Sequence, residues 1–210
     1  MSFQDVKSIN FDDLKFSAPR SNTGKRFIKA FYNKKPFSIR LPKLKLPFDS
    51  QVSQYGQIET NISLGLNTEV IDKLQELDDK MLVFAEENGW FDKKDVDNIE
   101  YIPVLKRSKT GTYPPTFKVK IPKTDSGVSS KFFDENKQKI EVNTTDDVLN
   151  LLKRGTHVIS ALECNSVWFI DNKFGLSWKV DQMRVYPGEQ PEFAYGAASD
   201  ESGDECMIYE

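Results

Sequence analysis

Histidine and cysteine are scarce in this 210-residue sequence, which holds one histidine and two cysteines. Cys164 lies in an apolar stretch and Cys206 in the polar C-terminal end, so their spacing fits neither a disulfide framework nor a zinc site. The single histidine, His157, stands within an apolar run that predicts a core position, which leaves a serine or cysteine nucleophile without its usual imidazole partner. The common hydrolase chemistries are therefore not expected.

Motifs for nucleotide phosphates and for membrane insertion are also missing. The sequence has neither a Gly-x-x-x-x-Gly-Lys-Ser/Thr loop nor a Gly-x-Gly-x-x-Gly loop. No apolar run approaches the ~18 residues of a membrane helix, and the start, Met1 to Asp5, lacks the layout of a signal peptide. Most carboxylates fall in one predicted helix or in the C-terminal end, which gives no convergent set for a metal ion. We expect an intracellular, non-secreted protein with no cofactor, no metal, no membrane contact and no enzymatic activity.

Charge is present in both signs but is segregated along the chain. Residues 1–50 hold eleven Lys or Arg against four acids, whereas the 22 residues from 189 to 210 hold seven acids and no Lys or Arg. The latter segment is poor in apolar residues, so it cannot bury enough surface to offset chain entropy and is predicted to be a disordered acidic tail. It has an apolar, aromatic tip at residues 206–209. Two interpretations stay open: a solubilising extension, or a polyanion that competes with nucleic acid for basic surfaces or docks a partner.

The pattern of residues predicts three regions. Residues 1–35 are polar and basic and are interpreted as an N-terminal arm, residues 36–188 as the folded domain, and residues 189–210 as the tail. Within the domain, period-two alternation predicts strands near residues 37–46, 57–66 and 117–121, and an apolar, β-rich run from 157 to 170 predicts a long hairpin with the segment that follows.

Two helices are predicted among these strands. Val70, Leu74, Leu77 and Met81 recur at helical spacing after a capping Asn67, which indicates an amphipathic helix up to about residue 89. Thr144 begins a short helix with a Thr-x-x-Asp capping pattern. Several strands, two helices and no βαβ rhythm favour a mainly β fold, a Greek-key barrel or sandwich with added helices.

Basic residues interleaved with aromatic residues on strands are the one chemical pattern that remains. Unpaired nucleic acid is held by cations that follow its phosphates and by rings on which its bases stack. Phe117 and Trp178 alternate with inward apolar residues, which favours the core for both, whereas Trp168 and Phe174 flank a hairpin turn. The candidate nucleic-acid-binding residues are Arg40, Lys43, Lys45, Tyr101, Lys106, Arg107, Lys109, Tyr113, Lys118, Lys120, Trp168, Lys173, Phe174, Trp178 and Lys179.

Residues 158–168 and 173–185 resemble the last strand pair of viral single-stranded DNA-binding proteins, those of podophages and of nucleocytoplasmic large DNA viruses. The resemblance consists of an aromatic residue before a hairpin, the pattern Lys-Phe-Gly-x-x-Trp-Lys-x-x-Gln from residue 173, and an acidic tail. It implies an OB-fold barrel whose cleft binds single-stranded DNA without strong sequence preference, and a tail that occupies the cleft and contacts replication enzymes. It assigns DNA binding to Trp168, Lys173, Phe174 and Lys179, and the tail's role to Asp200, Glu201, Asp204, Glu205 and Tyr209.

The sequence therefore favours a sequence-independent single-stranded DNA-binding protein of viral DNA replication, recombination or repair, located where the virus replicates in the cytoplasm or nucleus. The expected partners are single-stranded DNA, a polymerase or helicase recruited by the tail, and a second protomer. The chain ends Tyr209-Glu210, so its last aromatic is penultimate, a departure from the family pattern that would alter tail docking. A virion or assembly protein with a protein-binding β domain and an RNA-binding OB protein are the alternatives, and salt dependence separates the former because phosphate binding weakens steeply with salt.

Overall fold

The computed structural model describes residues 3–22, 25–91 and 98–188, and these form one mainly β body, as the sequence predicts. The two helices are α1 (Thr68–Glu87) and α2 (Thr145–Leu151). The first strands are β1 (Gln4–Asp5), β2 (Leu14–Phe16), β3 (Arg20–Asn22), β4 (Lys25–Ile28), β5 (Ala30–Tyr32), β6 (Lys35–Pro36), β7 (Ser38–Arg40), β8 (Leu44–Lys45), β9 (Gln51–Val52) and β10 (Ile58–Ser63). After α1 come β11 (Glu100–Ile102), β12 (Leu105–Lys106), β13 (Thr116–Ile121), β14 (Lys123–Thr124), β15 (Gly127–Val128), β16 (Lys131–Phe133), β17 (Lys139–Ile140), β18 (His157–Ile170) and β19 (Lys173–Tyr186).

Five of these segments close into a barrel. β8 pairs with β10, β10 with β13, β13 with β19, β19 with β18, and β18 returns to β8 and to β7 just before it. If the five strands are numbered by their order in the chain, β8 is the first, β10 the second, β13 the third, β18 the fourth and β19 the fifth. The order around the barrel is then 1-2-3-5-4, and the third and fifth strands run parallel. This connectivity is that of the OB fold, a five-stranded Greek-key barrel.

The barrel interior follows from the alternation of the strands. On β13 the side chains of Phe117, Val119 and Ile121 are buried, while Lys118 and Lys120 between them face outward. β18 begins and ends at the predicted residues 157 and 170. β19, the second strand of the predicted hairpin, runs from Lys173 to Tyr186. The prediction of a core position for His157 is wrong: because Val158 points inward, His157 lies half-buried on the outer face opposite Lys45.

Both helices begin where their capping residues stand. The Asn67 side chain accepts a hydrogen bond from the Val70 amide at the start of α1, and the apolar stripe of this helix packs into the core. At α2, the Thr144 hydroxyl accepts from the Asp147 amide while the Asp147 carboxylate accepts from the Thr144 amide. These hydrogen bonds hold the pKa of the Asp147 carboxyl below its usual value. The predicted helix starts are confirmed.

The interpretation of residues 1–35 as an arm separate from the domain is wrong for its described part. Val6, Ile9, Phe11 and Ile28 are buried in the same hydrophobic core as the barrel. β1 pairs with β7, and β4 pairs with β18, so this stretch adds strands to the main sheet. The basic side chains of the stretch are therefore fixed beside the barrel by strand pairing.

The predicted acidic tail, residues 189–210, lies outside the described residues, and so do its candidate partner-binding positions. Among the described helices, none is both long and apolar enough to span a membrane.

Candidate nucleic-acid groove

Two neighbouring cavities form one groove on the outer face of the barrel. The first has a volume of about 230 Å³ and lies between β13, β19 and the segment around β11 and β12, and the second, of about 330 Å³, continues it along β13 and β19. Both are lined by Lys120 and Ser177, which makes them continuous. We call this surface the central groove. It includes β13, which with β10 carries the binding face of oligonucleotide-binding OB folds.

Lysines dominate the central groove. Lys118 forms an ion pair with Glu59, and Lys179 forms one with Glu163 at 3.0 Å. The remaining three have no carboxylate within ion-pairing distance among the described residues, namely Lys106, Lys120 and Lys123. The groove thus holds five lysines and only two glutamates that neutralise them, which makes it a site of positive potential.

Two of these lysines stand opposite each other. Lys120 on β13 is the register partner of Lys179 on β19, where the two strands run parallel. Like charges directly opposite each other on neighbouring strands destabilise a sheet. Glutamates flank this pair, because Glu59 is the register partner of Lys120 on β10 and Glu163 is that of Lys179 on β18. The acids offset the repulsion, and the two lysines concentrate positive charge at the centre of the row.

The Lys106 ammonium shows the same crowding of positive charge. Partial burial lowers the pKa of Lys106, and the nearby charge of Lys118 lowers it further, while Glu59 acts in the opposite direction. A bound phosphate would reverse both effects, because it replaces lost solvation and adds negative charge.

A tryptophan stands beside these cations. Trp168 on β18 is half-buried, lines the central groove and is the register partner of Gly175 on β19. A Cβ atom on Gly175 would lie 2.8 Å from Cζ2 of the Trp168 indole, so only glycine allows the ring to lie across this backbone. The ring is therefore held flat against the sheet next to the lysines.

A buried carboxylate fixes the wall of the groove. Asp78 on α1 accepts hydrogen bonds from the Tyr101 hydroxyl at 2.6 Å and from the amides of Val104 and Leu105 at 2.9 and 3.1 Å. Burial raises the pKa of Asp78, and these hydrogen bonds oppose the rise. Burial and the adjacent Asp78 charge also raise the pKa of Tyr101. Asp78 thereby ties α1 to the segment that carries Lys106.

The structure brings together only part of the predicted set. Lys106, Lys118, Lys120, Trp168 and Lys179 share the central groove, and the nearly buried Trp178 also lines its first cavity. Sequence reasoning missed Lys123, although it continues the row of cations that begins at Lys118 and Lys120, and that continuation was the available signal.

Two predicted stacking rings belong to the core, and their assignment to DNA binding is wrong. Phe174 is completely buried and Trp178 is 2% exposed, so neither face of either ring is open to a base. Phe174 packs against Trp90 and Phe169. Trp178 packs against Phe37 and Phe117, in line with the alternation that favours the core for Phe117 and Trp178.

Tyr101 is a third predicted ring with a structural role. Its hydroxyl is held by Asp78, and its ring centroid lies 5.1 Å from that of Phe174. The ring therefore serves the packing behind the groove wall rather than the groove itself.

The other predicted cations lie away from the central groove or have partners. Arg40 pairs with Asp5, Lys173 with Glu100, and Arg107 donates to the Gln75 side chain. Lys43 lies over the Tyr186 ring at 3.9 Å, and Lys109 is exposed in a turn. The last two predicted residues, Lys45 and Tyr113, line a separate cleft of about 530 Å³, which we call the distal cleft.

Nothing in the described residues resembles a metal site, since no three His, Cys, Asp or Glu side chains are placed to hold an ion. The buried Cys164 thiol has its pKa raised by burial to about 12, which keeps it protonated and unreactive.

Comparison with known proteins gives structural neighbours only. No protein-family model matches the chain, and no curated protein matches it significantly. The similar solved structures include bacteriophage single-stranded DNA-binding proteins. The T7 protein gp2.5 superimposes with a TM-score of 0.49 and 9% identity over 79% of this chain and 98% of that one.

The single-stranded DNA-binding protein of bacteriophage Enc34, in a C-terminal truncation, gives a TM-score of 0.48 and 9% identity over 83% of this chain and 95% of that one. The same Enc34 protein in complex with single-stranded DNA gives 0.49 and 7% over 83% and 97%. At these values the likeness is too weak to support a function for this chain.

Proposed function

We propose that this protein binds single-stranded DNA in the central groove with little dependence on base sequence. The observation that carries the proposal is the register pair Lys120–Lys179, flanked by Lys118, Lys106 and Lys123. Two neighbouring lysines in the middle of this row can contact the same phosphate, and charge-assisted hydrogen bonds to a phosphate are strong.

An unpaired strand suits the groove better than a duplex. The Trp168 indole lies at the same groove as the lysines, and it can accept a base only when that base is not already stacked inside a double helix. Cations that contact phosphates and rings that stack on any base carry no sequence information, so the binding is sequence-tolerant.

The same proposal gives a role to the C-terminal tail in viral DNA replication. The seven acids of residues 189–210, with Tyr209 near their end, resemble a short anionic strand in charge and in having an aromatic group. The tail competes with DNA for the groove and, once displaced, is available to a replication partner such as a polymerase or helicase. DNA has the advantage because its charge density is higher and its bases stack on Trp168.

A salt titration of oligonucleotide binding tests this function. Fluorescence anisotropy of labelled oligo(dT), a matched RNA and a duplex is measured with the full chain and with a chain that ends at residue 188. For oligo(dT) we expect log K to fall linearly with log[salt], with about 0.7 in slope for each phosphate contact, and we expect tighter binding by the shortened chain at low salt.

The outcomes separate the alternatives. Tighter binding of the RNA would move the substrate class to RNA, and equal binding of the duplex would remove the role of stacking. Two results would contradict the proposal and favour a protein-binding domain. The first is oligo(dT) binding that does not depend on salt, and the second is the absence of oligo(dT) binding by the shortened chain in dilute buffer. Equal affinities of the two chains at low salt would refute only the competition by the tail.

A further inference from the structure

A row of side chains crosses four strands at the end of the central groove. β4 pairs with β18 so that Phe27 is the register partner of Trp168, and Trp168 is in turn the partner of Gly175 on β19. On the outer side, β3 pairs with β4 so that Arg20 is the partner of Phe27. Register partners project from the same face of a sheet with Cβ atoms about 5 Å apart. Arg20, Phe27 and Trp168 therefore share the face that forms the groove.

The two rings of this row do not serve the hydrophobic core. Phe27 and Trp168 are both half-buried, and among the described residues neither belongs to the core cluster nor to the partly buried side chains that pack against it. The adjacent Phe169 shows the contrast, since it points to the other face and packs against Trp90 and Phe174. Two neighbouring rings thus remain outside the core on the groove face, and the Lys29 ammonium lies over the Phe27 ring at 5.9 Å from its centroid.

The paired strands β3 and β4 and the residue that follows them carry several cations, two of which contact the barrel. Arg26 lies over the Phe169 ring at 4.6 Å on the opposite face, and the Lys29 ammonium donates to the Asn165 carbonyl of β18. Both contacts hold the hairpin to the barrel. The exposed side chains of Arg20 and Lys25 have no hydrogen-bond or ion-pair partner among the described residues. Strands already held by pairing can bind a ligand without a further cost for ordering them.

We propose that the β3–β4 hairpin forms a second nucleotide subsite, in which Phe27 stacks on the base next to the one on Trp168 and Arg20 contacts the accompanying phosphate. The inference rests on the proposed function and extends its site beyond the five barrel strands. The strand of DNA then runs from the lysines of the central groove across Trp168 to Phe27 and leaves the protein past Arg20.

A purely structural role for Phe27 makes a different prediction. If its ring only covered the backbone beside Trp168, any apolar side chain of similar size would serve. Stacking needs a flat π-face, so leucine cannot replace it and tyrosine can. Phe27→Leu and Phe27→Tyr in the full-length chain therefore distinguish the two roles, with Phe27→Ala as the complete truncation.

The test is the affinity of these full-length variants for oligo(dT), measured by fluorescence anisotropy over a series of lengths. We expect Phe27→Leu and Phe27→Ala to weaken binding of long oligonucleotides by about 5- to 150-fold, the range given by one stacked base. Phe27→Tyr should bind like the unsubstituted chain. Because the subsite lies at one end of the path, the loss should disappear for oligonucleotides too short to reach it.

Arg20→Gln tests the proposed phosphate contact independently of stacking. It should lower the slope of log K against log[salt] by about 0.7, the share of one phosphate contact. The matched control is Lys131→Gln, which removes one exposed charge on β16 that has no ion-pair partner among the described residues, and it should leave the slope nearly unchanged.

Thermal unfolding of Phe27→Leu is recorded alongside, so that a loss of fold is not mistaken for a loss of stacking. Unchanged oligo(dT) affinity of a folded Phe27→Leu, together with weakened binding by a Lys120→Ala/Lys179→Ala chain, would overturn the subsite and leave the central groove intact. Absence of oligonucleotide binding by the unsubstituted chain would overturn both.

Discussion

Replacing Lys120 and Lys179 together by alanine is expected to weaken oligo(dT) binding by about 100-fold, since a charge-assisted hydrogen bond contributes about 1.5 kcal/mol at the lower end of its range. The two residues are register partners on β13 and β19, and both line the central groove. The slope of log K against log[salt] should fall by about 1.4, because two phosphate contacts at about 0.7 each are removed. Anisotropy titrations at several salt concentrations measure both quantities.

The same substitution separates binding from folding. Lys120 has a like charge, Lys179, opposite it on one side and an opposite charge, Glu59, on the other. Because these two effects offset each other, Lys120→Ala alone should leave the free energy of unfolding nearly unchanged. The matched control removes Lys131 and Lys139, two exposed lysines on β16 and β17 that lie outside the central groove. An equal loss of affinity in that control would show that overall charge, rather than the groove, attracts the DNA.

Asp78→Ala is expected to lower the free energy of unfolding by about 3–5 kcal/mol, because three hydrogen-bond donors lose one acceptor group and two of them are buried amides. Chemical denaturation of the full chain measures this loss. Any molecules that remain folded should also bind oligo(dT) more weakly, since the segment that Asp78 holds carries Lys106 and forms the groove wall.

Two further variants separate the contributions of the individual hydrogen bonds that Asp78 accepts. Tyr101→Phe removes one hydrogen bond and should cost about 1–2 kcal/mol. Asp78→Asn keeps the shape but turns one oxygen into a donor that faces another donor, so its cost should fall between those of Tyr101→Phe and Asp78→Ala. Wild-type stability of Asp78→Ala would mean that β11 and β12 are held by strand pairing alone.

The pH dependence of the Asp78 contribution has a definite sign. Burial raises the pKa of Asp78 in the folded protein above its value in the unfolded chain, so the folded state takes up the proton first as pH falls. The contribution of Asp78 to the free energy of unfolding is therefore most favourable at low pH, and it declines as the pH rises through the pKa of Asp78 in the folded protein. The stability difference between the unsubstituted chain and Asp78→Asn should shift in that direction between neutral and acidic pH.

The barrel could be predicted from sequence where local pattern and tertiary burial agree. Phe117, Val119 and Ile121 alternate with lysines, and the barrel buries the same three residues. The caps at Asn67 and Thr144 are local chemistry that needs no tertiary information, and both helices start there.

The N-terminal stretch could not be predicted in the same way. Its buried residues, such as Val6, Phe11 and Ile28, are widely spaced among polar ones and lie in very short elements, so no period marks them. Their burial depends on α1 and β18, which are distant in sequence. Only the folded structure shows that this basic stretch belongs to the barrel.

Only the lysines of the central groove could be predicted from the sequence. Its lysines follow from outward positions on a strand, but an aromatic residue beside a turn can face either way. Phe174, paired with Phe169, is buried, whereas Trp168, paired with Gly175, lies on the other face. Phe27 was missed even though it stands between Arg26 and Lys29 in a run of cations and apolar residues. Its significance depends on the strand pairing that places it beside Trp168, and no local pattern contains that information.

The most direct measurement is the tryptophan fluorescence of the full chain during titration with oligo(dT). Trp90 is 1% exposed, and Trp178 is 2% exposed and borders the first cavity with only that small part, whereas Trp168 is half-buried in the groove. A base can therefore stack only on Trp168. The structure predicts saturable quenching that is lost in Trp168→Phe while that variant still binds in an anisotropy assay. Binding of oligo(dT) with no change in emission, or quenching that persists in Trp168→Phe, would contradict a path for single-stranded DNA through the central groove.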